Sequence, residues 1–265
     1  MRFLILGDDA RQEYLRDILK ERSQDVVYSR RYDRNICKGR FDAVLLPVPA
    51  SAEYYSMVEN ILSGDEYVFG CNIHSEVATC AKSTASCNCR KIEYMKSDEV
   101  ACKNAIATAE GTIAEIIRLS QINIQGSSCL VIGYGRCAKV LALKLKLLGC
   151  DVTVMERNNI KRVQAQVEGM RAVDFVEHEY QACGKYDYII NTVPAMVVDK
   201  KILEFVKPDV LILDIASKPG GVDYEYCSEH DLRAVLEAGL PGRFAPKTSA
   251  EILLEVIEKN IELDN

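Results

Sequence analysis

The stretch Ser128-Cys129-Leu130-Val131-Ile132-Gly133-Tyr134-Gly135-Arg136-Cys137-Ala138 constrains what this chain can fold into more than any other. A short apolar run enters a glycine turn and leaves it as a helical pattern, the opening βα unit of a dinucleotide-binding domain. Gly133 permits the tight turn, and Gly135 lets backbone N–H groups approach a diphosphate. Ala138, where a third glycine often stands, is small enough for helix and strand to pack. The diphosphate charge would rest on the helix N-terminus, where unsatisfied N–H groups and the helix dipole favour it. Glycine spacing alone is weak evidence, because many loops that bind nothing share it. The context is stronger: a helical pattern over 139–148 ends at Gly149, and a second strand over 151–155 runs into Glu156 and Arg157, the order such a domain requires.

Composition narrows the remaining classes. With 265 residues the chain is long enough for two domains, each with a core of its own. A net charge of -6 gives no basic excess to attract a phosphate backbone, so nucleic acid is not an expected partner. The chain opens on a strand, Arg2-Phe3-Leu4-Ile5-Leu6, without a charged-then-apolar leader, and no apolar run is long enough to span a bilayer. A cytoplasmic protein without a membrane partner is the expectation. Its 11 cysteines then belong to a reducing compartment rather than a disulfide framework. Cys71, Cys80, Cys87 and Cys89 fall close together, yet they lack paired CxxC spacing and His74 is the one nearby histidine, so no metal site is expected.

The first part of the chain repeats the strand-turn-helix theme: a strand over 3–6, the turn Gly7-Asp8-Asp9, a helix over 10–21 and a strand over 25–28. A third buried strand over 41–46 is closed by Pro47-Val48-Pro49-Ala50-Ser51, and residues 91–94 read as the last strand of this domain. From Asp98 the pattern is helical to about Ser120. After Gly126, strand-like runs at 128–132, 151–155, 172–175, 186–190, 210–213 and 234–236 match the six strands of a full doubly wound sheet. An amphipathic tail from 245 onward is expected to complete the first domain. The fold class is therefore α/β in two domains: a smaller N-terminal flavodoxin-like α/β domain, 1–120 with 245–265, and a C-terminal Rossmann-type dinucleotide-binding domain, 121–244.

Candidate cofactor contacts are Gly133, Tyr134, Gly135, Arg136 and Cys137 at the turn, and Thr192, Val193, Pro194, Ala216 and Ser217 at strand ends beyond the switch point, where a nicotinamide would lie. Glu156 stands roughly 20 residues after the turn, where a carboxylate commonly holds the ribose 2′-hydroxyl of NAD. Arg157, Asn158, Lys161 and Arg162 follow and would suit a 2′-phosphate. If Glu156 turns away along its strand the cations prevail, so NADP is the expected cofactor, with NAD as the alternative. On the substrate side, Arg11 is either a solvated helix residue or a fork-like donor to a carboxylate. Ser51 either caps a helix or contacts a ligand. Asn104, Thr108 and Gly111 share one helical face, which reads equally as a close helix contact and as a cleft lining. Lys247 is a surface lysine or a substrate contact.

Taken together, Gly7-Asp8-Asp9-Ala10-Arg11-Gln12, Asn104 with Thr108-Ala109-Glu110-Gly111-Thr112, Val131-Ile132-Gly133-Tyr134-Gly135-Arg136, Asn191-Thr192-Val193-Pro194, Asp214-Ile215-Ala216-Ser217-Lys218-Pro219-Gly220-Gly221 and 239–248 resemble the A-subunit family of dipicolinate synthase from spore-forming bacteria. The chain departs from it between Ser51 and Arg90, where it is shorter and rich in cysteine. The resemblance implies an oxidoreductase of the sporulating mother cell that oxidises a dihydrodipicolinate-level intermediate of the lysine pathway to pyridine-2,6-dicarboxylate with NAD(P)+, alongside a required partner, the B subunit of dipicolinate synthase. Arg11, Ser51, Asn104 and Thr108, and Arg243 or Lys247, would hold the substrate, and Glu110 is the nearest candidate base. A non-catalytic nucleotide-binding or regulatory partner of a catalytic B subunit remains the alternative, and a homodimer is left open. A dehydrogenase of shikimate or hydroxy-acid type is disfavoured, since its lysine-aspartate or histidine constellation is not evident.

Overall fold

The computed structural model describes residues 1–31, 33, 38–50, 54, 58, 61–71, 73 and 89–262. The chain forms two compact units, Met1–Lys103 with Ala245–Asn265, and Asn104–Phe244.

In the first unit, strands β1 (Arg2–Leu6), β2 (Asp25–Ser29), β3 (Ala43–Leu45), β4 (Tyr67–Gly70) and β5 (Arg90–Glu93) form a parallel sheet in the order β2-β1-β3-β4-β5. This is the flavodoxin-like doubly wound order, in which the strand order reverses between β1 and β3. The strand β4 was not anticipated. It lies between β3 and β5, and its place in the sheet is set by those partners rather than by a signal within its own four residues. Helix α1 (Ala10–Glu21) follows β1 and is capped by Asp9, whose carboxylate accepts the N–H of Arg11 at 2.9 Å.

The long helix α2 (Asp98–Leu119) explains why the units divide earlier than the expected boundary at 120. Val100, near its start, packs in the core of the first sheet, whereas Ala109 and Ile116 pack in the core of the second. The second unit continues with β6 (Ser128–Ile132), α3 (Arg136–Leu147), β7 (Asp151–Met155), α4 (Asn159–Val167), β8 (Arg171–Val173), α5 (Glu177–Gln181), β9 (Tyr188–Asn191), α6 (Lys200–Leu203), β10 (Leu211–Asp214), α7 (Tyr224–Glu229), β11 (Arg233–Leu236) and α8 (Leu240–Phe244). Its six strands run parallel in the order β11-β10-β9-β6-β7-β8. Each of the six expected runs overlaps one of these strands, and the reversal falls between β6 and β9. Helix α3 buries Ala138, Leu141, Ala142 and Leu145 on one stripe, the spacing of a helix lying against a sheet.

Helix α9 (Pro246–Glu262) returns the chain to the first unit, with proline at its first position where no N–H is needed. Ile252, Leu253, Leu254 and Ile257 join Leu15 and Leu19 of α1 in one core cluster, and Glu258 pairs with Arg22. Among the described residues no helix is long and apolar enough to cross a membrane. Because Leu253 is buried in that cluster, Leu253→Ala is expected to cost the first unit about 2–5 kcal/mol. A lowered urea midpoint for that unit checks this, and an unchanged midpoint would contradict the docking of α9.

Candidate dinucleotide site

The site is built where β6 meets α3. Gly133 adopts φ +90°, and a Cβ there would lie 2.6 Å from Thr192 Oγ1 and 2.8 Å from Val193 Cγ2. Only glycine satisfies both the left-handed backbone and the contact with the loop after β9. Gly135, the N-cap of α3, has open space where a Cβ would stand, makes no side-chain cap and is followed by no acidic residue in the first turn. A helix start without a side-chain cap, reached through a glycine whose side is empty, is what a diphosphate requires. Tyr134 faces inward: its ring is buried in the core, its hydroxyl donates to Glu168, and its backbone N–H is taken by Glu156. Arg136 is exposed and Cys137 partly so at the helix start.

Glu156 does not turn away along its strand. Its Oε2 accepts the N–H of Tyr134 at 2.9 Å, its Oε1 accepts that of Asn158 at 2.9 Å, and the residue is buried. The premise of the 2′-phosphate reading is thereby corrected: the carboxylate faces the glycine turn. Arg162 is engaged inward, donating to the carbonyls of Glu156 and Arg157 at 2.7 and 2.8 Å and pairing with Asp174 at 3.0 Å. Lys161 stands 3.7 Å from Glu156, the Asn158 side chain caps α4, and Arg157 is exposed.

Next to the turn, three strand ends share one register: Ile132 pairs with Asn191, and Asn191 with Asp214. Thr192 is tied to β6 through its N–H and hydroxyl, both donated to Ile132 O. The completely buried Asp214 joins the loops after β9 and β10. Its Oδ1 accepts from Asn191 Nδ2 at 2.9 Å and Ala216 N at 3.1 Å, and its Oδ2 accepts from Gly221 N at 2.6 Å and the Tyr224 hydroxyl at 2.9 Å. Burial, and then the neighbouring carboxylate, push the Tyr224 phenol up, which keeps it a donor. The Gly220-Gly221 pair belongs to this contact. A Cβ on Gly220 would lie 2.4 Å from Asp214 Oδ2, and one on Gly221 would lie 2.2 Å from Ala195 O. Pro194 and Ser217 stand exposed at the rims of these loops and Ala216 is buried. Sequence reasoning placed the loops without the Asn191–Asp214–Tyr224 network. Its visible signal is an amide and a carboxylate ending two otherwise apolar strands.

The substrate-side candidates divide. Arg11 is buried in the first turn of α1, with its guanidinium on the Asp9 carboxylate and Val48 O. Neighbouring Gln12 donates to Leu46 O and has a buried Oε1 without a partner. Ser51 lies outside the described residues. In the second unit the Asn104 side chain is buried with its Oδ1 unpartnered, whereas the Thr108 hydroxyl is turned back onto Asn104 O at 2.9 Å. Gly111 is a helix contact, since a Cβ there would meet Phe244 at 2.8 Å and Leu240 at 3.1 Å.

Two candidates take other roles. Glu110 is exposed and paired with Lys144 at 2.9 Å, a solvated surface carboxylate rather than a sequestered base. Arg243 is exposed, but its fork is occupied by Glu237 and Glu115, two buried carboxylates that otherwise rely on Arg118. Lys247 is exposed at the start of α9. Of the cysteine group, Cys80 and Cys87 lie outside the described residues. Cys71 is buried, and its thiol is pushed up to about 11 mainly by desolvation. Among the described residues no cluster of three or more histidine, cysteine or acidic side chains could hold a metal.

Comparison with known proteins agrees with this geometry. Residues 104–233 match the family model for the NAD binding domain of S-adenosyl-L-homocysteine hydrolase. Across 98% of this chain and 95% of the relative, the sequence is 30% identical to the A subunit of dipicolinate synthase from Bacillus subtilis. The crystal structure of the corresponding A subunit from Bacillus halodurans superposes with a TM-score of 0.82 at 28% identity, covering 97% of this chain and 96% of that one. A D-isomer specific 2-hydroxyacid dehydrogenase from Lactobacillus delbrueckii, in its NAD complexed form, shares the fold alone, with a TM-score of 0.60 at 10% identity over 100% and 98% of the two chains. The strand order, glycine turn and matched domain define a nicotinamide-dinucleotide-binding protein of oxidoreductase type. Within that class, the chain belongs to the A-subunit family of dipicolinate synthase.

Two variants test the site. Gly133→Ala is expected to weaken dinucleotide binding on the order of 10-fold or more in a titration, because strain and the Thr192 clash displace the turn. Unaltered affinity would refute that role for the turn. Arg243→Ala is expected to lower the melting temperature of the second unit, because it leaves Glu237 and Glu115 buried with one guanidinium fewer. An unchanged melting temperature would contradict that structural role.

Proposed function

We propose that the chain binds a cyclic dihydrodipicolinate-level dicarboxylate in its N-terminal domain and oxidises it to pyridine-2,6-dicarboxylate during sporulation, together with a second protein, the B subunit of dipicolinate synthase. The observation that carries this reading is the open, uncapped glycine turn at α3, in a chain whose family is named for that product. The bound dinucleotide supplies the hydride acceptor. The substrate gives up one hydride and one proton, and aromatisation makes the loss downhill, so positioning and exclusion of water are what the protein must supply.

Each requirement has a candidate. Backbone N–H groups at the start of α3 bind the diphosphate, and the loops ending in Thr192-Val193-Pro194 and Ala216-Ser217 support the ring. Glu156 receives the adenosine ribose. Its carboxylate is already aimed at the turn, which favours the hydroxyls of NAD over the phosphate of NADP, the reverse of the expectation from the cation count. Arg11, its orientation fixed by Asp9, donates to one substrate carboxylate, and exposed Lys247 is the cation for the other. The orphaned Asn104 oxygen is an acceptor suited to a ligand N–H.

Solvated Glu110 favours a second reading, in which the base belongs to the B subunit and this chain supplies cofactor and binding groups. Turnover of chemically made dihydro substrate by this chain alone supports the first reading. Normal cofactor binding without turnover until the B subunit is added supports the second. On the cofactor, Glu156→Ala is expected to weaken NAD binding about 10-fold, the size of one lost charge-assisted hydrogen bond, and Arg157→Ala to leave it unchanged. Tighter binding of NADP that disappears with Arg157→Ala would reverse the assignment.

A further inference from the structure

The carboxyl group of Asp214 is shut inside the protein. Its four partners all donate to it, two of them backbone N–H groups that can do nothing else, so both oxygens are acceptors, the surroundings that suit the ionised form. The amide orientation of Asn191 is fixed as well, because Oδ1 accepts from Val193 N at 3.0 Å while Nδ2 donates to Val193 O at 2.9 Å. Among the described residues no lysine, arginine or histidine pairs with Asp214. Lys218, on the same loop, is exposed. Hydrogen bonds offset the loss of water around such a charge, but they do not cancel its field in a poorly polarisable surrounding.

Position gives that field a target. Asp214 is one strand from Asn191 and two from Ile132, the residue before the glycine turn, and neighbouring strands lie about 4.8 Å apart. The two loops it joins are those proposed to support the nicotinamide, so the inference rests on that reading. An oxidised nicotinamide is a cation and a reduced one is neutral. A fixed, unpaired anion behind the ring favours the cation.

We infer that Asp214, a positioning residue through its hydrogen bonds, also acts through its charge, and that this buried anion biases the site toward the oxidised dinucleotide. Such a bias suits an enzyme that must take hydride from its substrate and then release the reduced cofactor. Scaffolding alone needs the four hydrogen bonds but makes no distinction between the two redox forms. The bias and the scaffold are thus separable.

The test is a pair of titrations, NAD+ and NADH, against the full chain. The unmodified protein is expected to bind NAD+ more tightly than NADH. The nearly isosteric Asp214→Asn is expected to cut the ratio of the two affinities on the order of 10-fold, whatever it does to both together. Tyr224→Phe, which removes one donor and keeps the charge, is expected to preserve the ratio. Tighter binding of NADH by the unmodified protein overturns the inference even if Asp214→Asn does not fold, and so does an Asp214→Asn protein in which both affinities change by one factor. Binding of neither form would remove the dinucleotide reading itself, and the inference with it.

Discussion

Ile132, Asn191 and Asp214 stand side by side at the ends of three hydrogen-bonded parallel strands, and the rest of the site depends on that alignment. A parallel sheet delivers its strand ends to one edge, and here the edge is locked from both sides. Thr192 closes on Ile132 O, and the Asp214 carboxylate gathers the two loops that follow β9 and β10. The Gly133 turn is squeezed against Thr192 and Val193 without room for a Cβ. The glycine turn proposed for the diphosphate and the loops proposed for the ring are consequently one packed assembly. This is the pre-organisation that a dinucleotide site needs if binding energy is to be used for orientation.

Much of this was legible in the residues. The β6 strand, its turn and α3 announce themselves because glycine spacing and apolar periodicity are local properties, set within one βα unit. The six strand runs of the second unit could be counted for the same reason, and the doubly wound order follows from repeated right-handed βαβ crossovers. Helix α9 was readable as a returning amphipathic segment.

What could not be read depends on partners distant in sequence. The direction of the Glu156 carboxylate is decided by the N–H of Tyr134, on another strand's loop, and not by its neighbour Arg157. Arg243 looked like a free guanidinium until Glu115 and Glu237 were folded beneath it, and Glu110 looked like a base until Lys144 of α3 met it at the surface. Thr108 turned its hydroxyl onto its own helix, a choice that spacing does not disclose. The short strand β4 and the division of α2 between two cores are likewise set by packing rather than by propensity.

The central claim is that an anionic dinucleotide backbone rests on the start of α3 while its ribose is held by Glu156. A crystal structure of the chain with NAD+ tests it most directly. The account predicts diphosphate oxygens within hydrogen-bond distance of the backbone N–H groups of residues 135–137, and ribose hydroxyls on the Glu156 carboxylate, which keeps the N–H of Tyr134. A dinucleotide bound elsewhere, or one whose ribose avoids Glu156 in favour of Arg157, would contradict it.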